Sequence, residues 1–375
     1  MYKRQLPASG ELDAPTWDAL TGDGAPALLA HTLTADDAMP AHWIRTARAP
    51  VCAFAMLLVA APAFAQDAPA RDDTTQPGET SQTLTAESVN AADMDAGDTA
   101  MLRTQVLLDR VHFSPGEIDA RGGTNTTRAI AAFQRHRGLP ASGELDAPTW
   151  DALTGDGAPA LLAHTLTADD VAGPFAPVPD DMMAQSKQAA LGFENVVEAL
   201  GERFHASPAL LRRLNPGSDF RAGTRIVVPN VAEAATLAEP ARVVVSKSDS
   251  VVRLVDAGGK VYAQFPASTG TERDPLPIGE WRIEGVATDP TFHYNPDLFW
   301  DADPSHAKAA LPAGPNNPVG TVWIDLSKPH YGIHGTPEPQ NIGKTQSHGC
   351  IRMTNWSARR VADVVKPGTV AILEE

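Results

Sequence analysis

Apolar positions follow one period in the middle of the chain and another in its C-terminal part. Between residues 101 and 231 they recur at helical spacing, as at Leu102 and Val106, and Pro, Gly and Asn interrupt the pattern. From residue 240 onward they form short β-branched runs, such as 322–326, that are typical of strands. The pattern therefore predicts a multidomain α+β chain, in which small helical modules precede a mainly-β domain.

The helical part divides into two modules. Residues 101–158 are predicted to form three short helices, the third of them behind Asp146, a residue type that caps helix N-termini. Residues 191–231 are predicted to form two helices and a closing strand at 223–229. The intervening residues 159–190 include a stretch rich in Pro and Asp, and we expect them to act as a linker.

The mainly-β domain, residues 240–375, is predicted to be a closed or sandwiched sheet with one helix at 355–365. Thr354 precedes that helix as its N-cap. Residues 288–318 are too long and too rich in Pro, Asp and Asn for a plain connection, which indicates a flap. The predicted strands cover 242–246, 251–255, 261–266, 279–283, 322–326, 331–334 and 369–373.

The segments ahead of the helical modules predict export. The apolar run 51–65 follows Arg45 and Arg48 and ends on an Ala-x-Ala site, so residues 39–65 are predicted to be a cleaved secretory signal peptide. A retained membrane anchor is the alternative. Residues 66–100 contain few large apolar side chains, and we expect a disordered linker there.

Residues 1–38 are interpreted as a spurious duplicated segment. Residues 6–37 repeat residues 139–170 without a substitution, whereas structural repeats occur in several copies and drift in sequence. We expect the protein to begin at Met39. After cleavage of its signal peptide, we expect it to act in the periplasm or cell wall without stable membrane insertion.

The charge and the cysteine content of the chain exclude some classes of function. Acidic residues number 46 and basic residues 30, for a net charge of −16, which is opposite in sign to what binding of a nucleic-acid backbone requires. No pair of histidines or cysteines has the spacing of a metal motif, so we expect no metal and no other cofactor. Signal cleavage would remove Cys52 and leave Cys350 as the only thiol. The oligomeric state stays open.

The remaining thiol lies in a segment that suggests catalysis. Cys350 belongs to a Ser-His-Gly-Cys-Ile-Arg run, and an Ile-His-Gly run places His334 at the end of a predicted strand. A thiol needs a nearby base because its ordinary pKa is about 8.5. His348 is close in sequence but lies in a tight turn, whereas a strand end could aim His334 across the sheet, so both histidines remain candidates.

The His-Gly run followed by Ser-His-Gly-Cys, within a β-rich domain, resembles the signature of the YkuD-type L,D-transpeptidases over residues 240–375. The resemblance implies that Cys350 is the nucleophile, that His334 is the general base and that the Gly335 carbonyl orients the base. It further implies a turn that stabilises an oxyanion and an arginine that binds a substrate carboxylate. The residues implied for these two roles are Ser347, His348 and Gly349 for the turn, and Arg352 for the carboxylate.

Two further resemblances lie in the helical part. An Ala-Ile-Ala-Ala-Phe-Gln run and the Gly-Leu pair after it make residues 101–158 resemble the three-helix peptidoglycan-binding domain. A Leu-Asn-Pro turn between helix and strand makes residues 191–231 resemble a LysM module, a fold that binds N-acetylglucosamine. LysM modules open with a strand, and residues 191–194 offer none. A sugar-binding module and a structural spacer therefore both remain open.

Together these resemblances imply a peptidoglycan L,D-transpeptidase. Its cysteine would form an acyl-enzyme on a tetrapeptide stem with release of D-Ala, and would then pass the acyl group to an amine acceptor in a 3-3 cross-link or a related exchange. Stem peptides and glycan are the implied partners. Hydrolysis of the same acyl-enzyme, by a carboxypeptidase or endopeptidase, is one alternative. A non-catalytic wall-binding scaffold is another.

Overall fold

The computed structural model describes residues 84–231 and 236–375, which belong to one compact unit. The expected duplicated segment 1–38 and the expected signal peptide 39–65 lie outside the described residues, as do residues 66–83 of the expected linker 66–100. Within the described part, no helix has the length and apolar character needed to cross a membrane.

Short α-helices make up most of the N-terminal part, and one more lies near the C-terminus. They are α1 (Ala86–Asn90), α2 (Asp98–Arg110), α3 (Thr124–Arg137), α4 (Ala147–Thr154), α5 (Met182–Gln185), α6 (Val196–Arg203), α7 (Pro208–Leu214) and α8 (Asn355–Ala362). Asp146 accepts a hydrogen bond from the Thr149 main-chain N–H at 2.9 Å. Thr354 accepts one from the Ser357 N–H at 3.3 Å. Both predicted N-caps, of α4 and α8, are therefore confirmed.

The strands lie mainly in the C-terminal part. They are β1 (Leu161–Thr165), β2 (Arg225–Pro229), β3 (Arg242–Ser246), β4 (Val251–Val255), β5 (Val261–Pro266), β6 (Gly279–Thr288), β7 (Phe292–Tyr294), β8 (Ala309–Leu311), β9 (Val322–Leu326), β10 (Gly332–His334), β11 (Ile351–Arg352) and β12 (Val370–Glu374). β6 runs past its predicted end at residue 283 because its second half pairs with β9, whereas its first half pairs with β12.

Eight of these strands form one sheet, in the order β11-β10-β9-β6-β12-β3-β4-β5. β10 lies between β9, to which it is antiparallel, and β11, to which it is parallel. Ala358 and Val361 of α8 share a hydrophobic core with Ile333 of β10 and Ile351 of β11. Burial of these side chains fixes the two short strands against the helix.

Two segments expected to be linkers contain regular structure. Residues 161–165, inside the expected linker 159–190, form β1, which pairs antiparallel with β2. α1 and the first residues of α2 fall inside the expected disordered linker 66–100. Leu161 and Val89 are buried in one shared core. Contacts with neighbouring elements thus order residues whose own composition does not predict a fold.

The second helical module is larger than its sequence indicates. β1, α6, α7 and β2 form a strand-helix-helix-strand unit, so the opening strand exists but precedes the expected start at residue 191. Leu200 and Leu211 of this unit share a core with Leu102 and Val106 of α2. The two helical modules, expected to be separate, are therefore packed together.

The helical part docks onto the edge of the large sheet. The Ser114 main-chain N–H donates to the Gln264 carbonyl at 2.9 Å, and the Gln264 N–H donates to the His112 carbonyl at 2.8 Å. Residues 112–114 thus add a short bridge beside β5. Such cover satisfies main-chain groups that an edge strand otherwise leaves unpaired.

A buried ion pair joins the same two parts of the molecule. The Arg360 guanidinium of α8 donates two hydrogen bonds to the carboxylate of Asp109, each at 3.1 Å. His205, in the turn after α6, donates a third at 2.9 Å. Asp109 therefore connects α2, the turn before α7 and the helix of the mainly-β domain.

The predicted flap, residues 288–318, contains a small sheet of its own. β7 and β8 pair antiparallel, and Tyr294 and Leu311 pack against Leu191 of the segment before α6. The Leu191 main-chain N–H donates to a carbonyl just after β8 at 3.0 Å. The base of the flap is thus attached to the helical part, and its tip, residues 295–308, connects the two strands.

Candidate active site

Three neighbouring strands carry a row of polar side chains on the sheet face opposite α8. Successive residues of a strand alternate between faces, and the apolar residues of β10 and β11 occupy the α8 side. His334 of β10 pairs in register with Arg352 of β11 and with Trp323 of β9. Cys350 comes directly before β11 and packs against the hydrophobic cluster that contains Trp323.

His334 is buried and held in one tautomer. Its Nδ1 lies 2.7 Å from the Gly335 carbonyl oxygen. Because a carbonyl only accepts, Nδ1 carries the hydrogen and Nε2 is left unprotonated. Burial lowers the pKa of His334 to about 4, with the Gly335 hydrogen bond opposing the shift and the charge of Arg352 adding to it. At neutral pH, His334 is therefore an uncharged imidazole with an available base at Nε2.

Cys350 rests as a neutral thiol. Burial raises the pKa of Cys350 to about 11, against the effects of a main-chain hydrogen bond from Gly332 and of the Arg352 charge. Its Sγ donates to the His330 carbonyl at 3.7 Å. Since little thiolate forms at neutral pH, proton removal has to accompany nucleophilic attack.

The turn before Cys350 is held on both sides. The Ser347 hydroxyl donates to the Cys350 carbonyl at 2.5 Å, and the Ser347 main-chain N–H donates to the Thr269 carbonyl at 2.9 Å. Gly349 has a φ of +99°, in the region that favours glycine. A Cβ there would also lie 3.0 Å from the ring of Tyr331. Glycine is therefore required immediately before the thiol.

His348 contacts the flap. Its Nε2 lies 3.0 Å from both carboxylate oxygens of Asp301. Its ring packs against Phe299 and Trp300, at centroid distances of 5.5 and 5.8 Å. Of the two histidines that the sequence left open, His348 is thus engaged by the flap, and His334 is the one that stacks on Trp323, in the cluster against which Cys350 packs.

Asn355 holds the chain around Gly335, a function that no motif indicates. Its side-chain oxygen accepts hydrogen bonds from the main-chain N–H groups of Thr321, at 3.1 Å, and Thr336, at 3.0 Å. A Cβ on Gly335 would lie 2.0 Å from that oxygen. The close approach requires glycine, and it places the Gly335 carbonyl where His334 binds it.

The Arg352 guanidinium has a hydrogen-bond donor that no described residue uses. Its Nη2 donates to the Gln346 carbonyl, whereas its Nε is buried with no hydrogen-bond partner among the described residues. Burial lowers the pKa of Arg352, and the charges of Glu338 and Cys350 oppose the shift. A charged guanidinium with an unused donor can bind a carboxylate.

Trp323 and Asp325 complete the polar face. The Trp323 indole N–H donates to the Asp325 carboxylate at 3.3 Å. Burial raises the pKa of Asp325 to about 7, and its charge contributes to the raised pKa of Cys350. The alternation within the predicted strand 322–326 could have identified both residues, since they occupy the face opposite the core.

Two parts of the chain match known protein families. Residues 240–373 match the family described as "L,D-transpeptidase catalytic domain", and residues 99–153 match the "Putative peptidoglycan binding domain". A Bacillus licheniformis protein named "Putative L,D-transpeptidase YkuD" is 31% identical over 46% of this chain and 90% of its own length. The chain belongs to the L,D-transpeptidase family.

Other named L,D-transpeptidases are similar at lower identity. The "Probable L,D-transpeptidase ErfK/SrfK" of Escherichia coli is 27% identical over 58% of this chain and 72% of its own length. The crystal structure of L,D-transpeptidase 3 from Mycobacterium tuberculosis, with a faropenem-derived adduct, has 17% identity and a TM-score of 0.30, over 42% of this chain and 76% of that one. The resemblances to the transpeptidases and to the peptidoglycan-binding domain are confirmed, and they indicate peptidoglycan as the substrate. The LysM-like resemblance stays a prediction.

The implied site residues of the transpeptidase fall into two groups. His334 and Arg352 lie opposite each other on one sheet face, with Gly335 bonded to His334, and Cys350 packs on the cluster of Trp323 beside them. The turn residues, with His348 among them, connect the thiol to the flap. In the part of the chain that the structure describes, no group of three or more His, Cys, Asp or Glu side chains is placed to hold a metal ion. The catalytic assignments themselves stay predictions.

Proposed function

We propose that the chain is a cysteine-dependent L,D-transpeptidase that remodels peptide linkages in peptidoglycan. Cys350 attacks the carbonyl of the third stem residue, the C–S bond forms, and D-Ala leaves with its amine. An amine acceptor then attacks the thioester and regenerates the thiol. The observation that carries the proposal is the His334–Gly335 hydrogen bond, which leaves an unprotonated Nε2 on an imidazole that stacks on Trp323, in the cluster against which Cys350 packs.

The proton moves from sulfur to imidazole during attack. In the resting structure the thiol donates to the His330 carbonyl, so the S–H bond turns toward Nε2 of His334 first. His334 takes the proton as the C–S bond forms and then gives it to the departing amine. The Gly335 carbonyl keeps Nδ1 protonated and stabilises the imidazolium that forms in between.

The turn and the arginine bind the charged parts of the donor. The left-handed conformation of Gly349 and the Ser347 hydrogen bond fix the main chain just before the nucleophile. We assign stabilisation of the oxyanion to the main-chain N–H groups of Gly349 and Cys350. Arg352 binds a stem carboxylate through its unpartnered Nε.

The helical part binds the wall in this proposal. The peptidoglycan-binding domain packs on a strand-helix-helix-strand unit, an order that adds to the LysM-like resemblance and supports glycan binding there. The alternative, a structural spacer, is tested by sedimenting the Cys350→Ala chain with insoluble peptidoglycan. Because the protein is acidic, specific binding should persist in moderate salt. Export through the segment 39–65 would bring the protein to the periplasm or cell wall.

Mass spectrometry of muropeptides tests the reaction. After incubation with the purified chain, peptidoglycan should lose D-Ala from tetrapeptide stems and gain 3-3 cross-links, and Cys350→Ala should cause neither change. New tripeptides without new cross-links would instead identify a carboxypeptidase, and loss of existing cross-links an endopeptidase. If the muropeptides do not change but the chain still binds the wall, the protein would be a non-catalytic wall-binding scaffold.

A further inference from the structure

A cavity of about 600 Å³ lies where the helical part meets the catalytic domain. Glu117 lines it from the peptidoglycan-binding domain, Glu202 from α6, and Glu338 from the chain after β10. Phe193 and several prolines give it apolar surface as well. Its volume lies within the usual range for sites that bind small organic molecules, and a mixture of apolar and polar groups is typical of such sites.

The charge in the wall of this cavity is one-sided. One guanidinium, that of Arg352, faces six carboxylates. The carboxylates belong to Glu117, Asp180, Glu194, Glu198, Glu202 and Glu338. Of these, Glu194 and Glu198 already accept hydrogen bonds from the Val178 main chain and from Asn316. Even when Glu117 and Glu202 are protonated, carboxylates outnumber the one guanidinium, and this excess of negative charge favours a positively charged ligand.

Two of the carboxyls are half-buried with little compensating positive charge beside them. Burial raises the pKa of Glu202 to about 8, although Asn355 and Arg359 act in the opposite direction. Burial and a neighbouring carboxylate raise the pKa of Glu117 to about 7, against the charge of Lys344. A cation between such groups would stabilise their ionised forms.

Two neutral polar groups in the wall also lack partners. Trp356 is 6% exposed and Gln185 is 8% exposed. The indole N–H of Trp356 and the side-chain oxygen of Gln185 have no hydrogen-bond partner within the described ranges. Unsatisfied buried groups destabilise the protein. Because one is a donor and the other an acceptor, a ligand that offers both a carbonyl and an N–H, as a peptide does, would satisfy both once the two side chains turn toward the cavity.

The cavity adjoins the strands that carry the reacting groups. Thr336, two residues after His334, and Arg352, two residues after Cys350, both line it. β10 and β11 are parallel, with His334 opposite Arg352. The cavity therefore reaches residues of the same chain segments that carry His334 and Cys350.

We propose that this cavity binds the amine acceptor of the transfer reaction, as a peptide with a protonated side-chain amine. The inference rests on the proposed function and deepens it by assigning the acceptor a site. Glu117 and Glu202 bind the ammonium, and Gln185 and Trp356 bind peptide groups beside it. The bound ammonium first gives one proton to a carboxylate of the cavity. The neutral amine then attacks the thioester, the C–N bond forms, and a second proton passes from the nitrogen to His334. The C–S bond breaks, and His334 returns that second proton to the sulfur.

Calorimetric titration of the full Cys350→Ala chain tests binding without turnover. The probe is a stem tetrapeptide with a free side-chain amine, compared with the same peptide acetylated at that amine. The free amine should bind, and acetylation should weaken binding by at least about tenfold, since a charge-assisted hydrogen bond is worth more than that factor. Glu117→Gln and Glu202→Gln, added singly and together, should each weaken binding of the free amine. Glu280→Gln, at an exposed carboxylate of β6, is the matched control.

The outcomes separate this site from the reaction itself. Equal binding of the free and acetylated peptides, or unchanged affinity in the double glutamine variant, would overturn the site. So would displacement of the peptide by millimolar Ca²⁺ or Mg²⁺, because the cavity would then be a metal site. In parallel, the intact mass of the wild-type chain shows whether an acyl adduct forms. If no adduct forms, the proposed function is wrong. If an adduct forms but peptide binding does not depend on the side-chain charge, only the acceptor site is wrong.

Discussion

The imidazole of His334 is stacked on the indole of Trp323, with ring centroids 5.5 Å apart and an angle of 17° between the planes. The indole also occupies the space beside Gly332, where a Cβ would lie 2.5 Å from it. Stacking restricts rotation of the imidazole, and the Gly335 hydrogen bond fixes its tautomer. Trp323 is thereby a positioning residue for the proposed base.

Replacement of Trp323 should slow acylation without removing the base. We expect Trp323→Leu to reduce the rate of Cys350 adduct formation by roughly tenfold or more, because a loosely held base is misplaced for much of the time. Trp323→Phe keeps a flat ring and should recover most of the rate. Intact mass over time with a carbapenem measures all three proteins. Equal slowing by Trp281→Leu, in β6, would show that any lost tryptophan has this effect.

The roles of the two histidines can be ranked in the same assay. Cys350→Ala should abolish the adduct, and His334→Ala should slow its formation by roughly 10²–10⁴-fold, the usual contribution of a proton-transfer partner. His348→Ala should have a smaller effect, since His348 contacts Asp301 of the flap. If the His348 variant formed no adduct while the His334 variant formed it at the wild-type rate, His348 rather than His334 would be the base.

Arg352 should matter for the donor more than for the thiol. Arg352→Lys keeps the positive charge but loses the planar donor array that binds a carboxylate through two hydrogen bonds. We expect a larger loss of rate with a tetrapeptide donor than with a small carbapenem. Comparison of kcat/KM for the two acylating agents measures the difference, and an equal loss for both would indicate a role limited to the turn.

The carboxyl of Asp325 should make the reactivity of the Cys350 thiol depend on pH. Burial raises the pKa of Asp325 to about 7, so its charge opposes thiolate formation mainly above that pH. Asp325→Asn should therefore increase the rate of Cys350 alkylation by iodoacetamide at pH 8 several-fold, with little effect at pH 5.5. Identical pH profiles for the two proteins would show that the carboxyl does not act on the thiol.

The same carboxyl affects stability in a defined direction. The folded-state pKa of Asp325 lies above its unfolded value, so the stability that it contributes is complete below about pH 4 and is lost as pH rises through about 7. By linkage the loss is at most about 4 kcal/mol. In urea unfolding, Asp325→Asn should lose less stability than the wild type between pH 5 and pH 8.

The buried pair of Asp109 and Arg360 should stabilise the docking of the helical part. Asp109→Ala leaves Arg360 without its partner and should lower the free energy of unfolding by about 3–5 kcal/mol. The exposed pair of Asp98 and Arg213, at 3.1 Å, is the control, and Asp98→Ala should cost less than about 1 kcal/mol. Chemical denaturation measures both variants. Similar small losses would mean that the buried pair contributes no more than a surface pair.

Acid should weaken that connection. Although burial acts to raise it, Arg360 and His205 hold the pKa of Asp109 well below its ordinary value. The stability contributed by Asp109 is therefore present above the unfolded pKa, near 4, and is lost as pH falls through the depressed folded value. The wild type should lose more stability on acidification below pH 4 than Asp109→Asn does.

The flap should move at its tip rather than at its base. Residues 295–308 connect β7 and β8 and are held by side chains, such as Asp301 on His348 and His306 on Asp181. By contrast, the residues after β8 are bonded to Leu191 through the main chain. We expect faster hydrogen exchange at 295–308 than in β9, further acceleration by Asp301→Asn, and slower exchange once Cys350 carries an acyl group. Equal protection of the tip and β9 would argue against a lid.

Local pattern by itself predicted most of the secondary structure and singled out the residues of the candidate site. β-branched runs predicted the longer strands of the catalytic domain, although not β7, β8 or β11, because period and propensity act over a few residues. The caps at Asp146 and Thr354 are equally local. The Ser-His-Gly-Cys run and the His-Gly run also stand together in the sequence. The resemblance that they carry is confirmed at the level of the family.

Tertiary structure alone decided which groups meet. β1 is ordered by pairing with β2, and the Gly335 carbonyl is placed by Asn355. The two histidines look alike in sequence, yet one lies under Trp323 and the other against Asp301. Burial, charge compensation and strand register join residues that are far apart in the chain, and no local period records those distances. The acidic cavity, to which three parts of the chain contribute, follows from the same long-range packing.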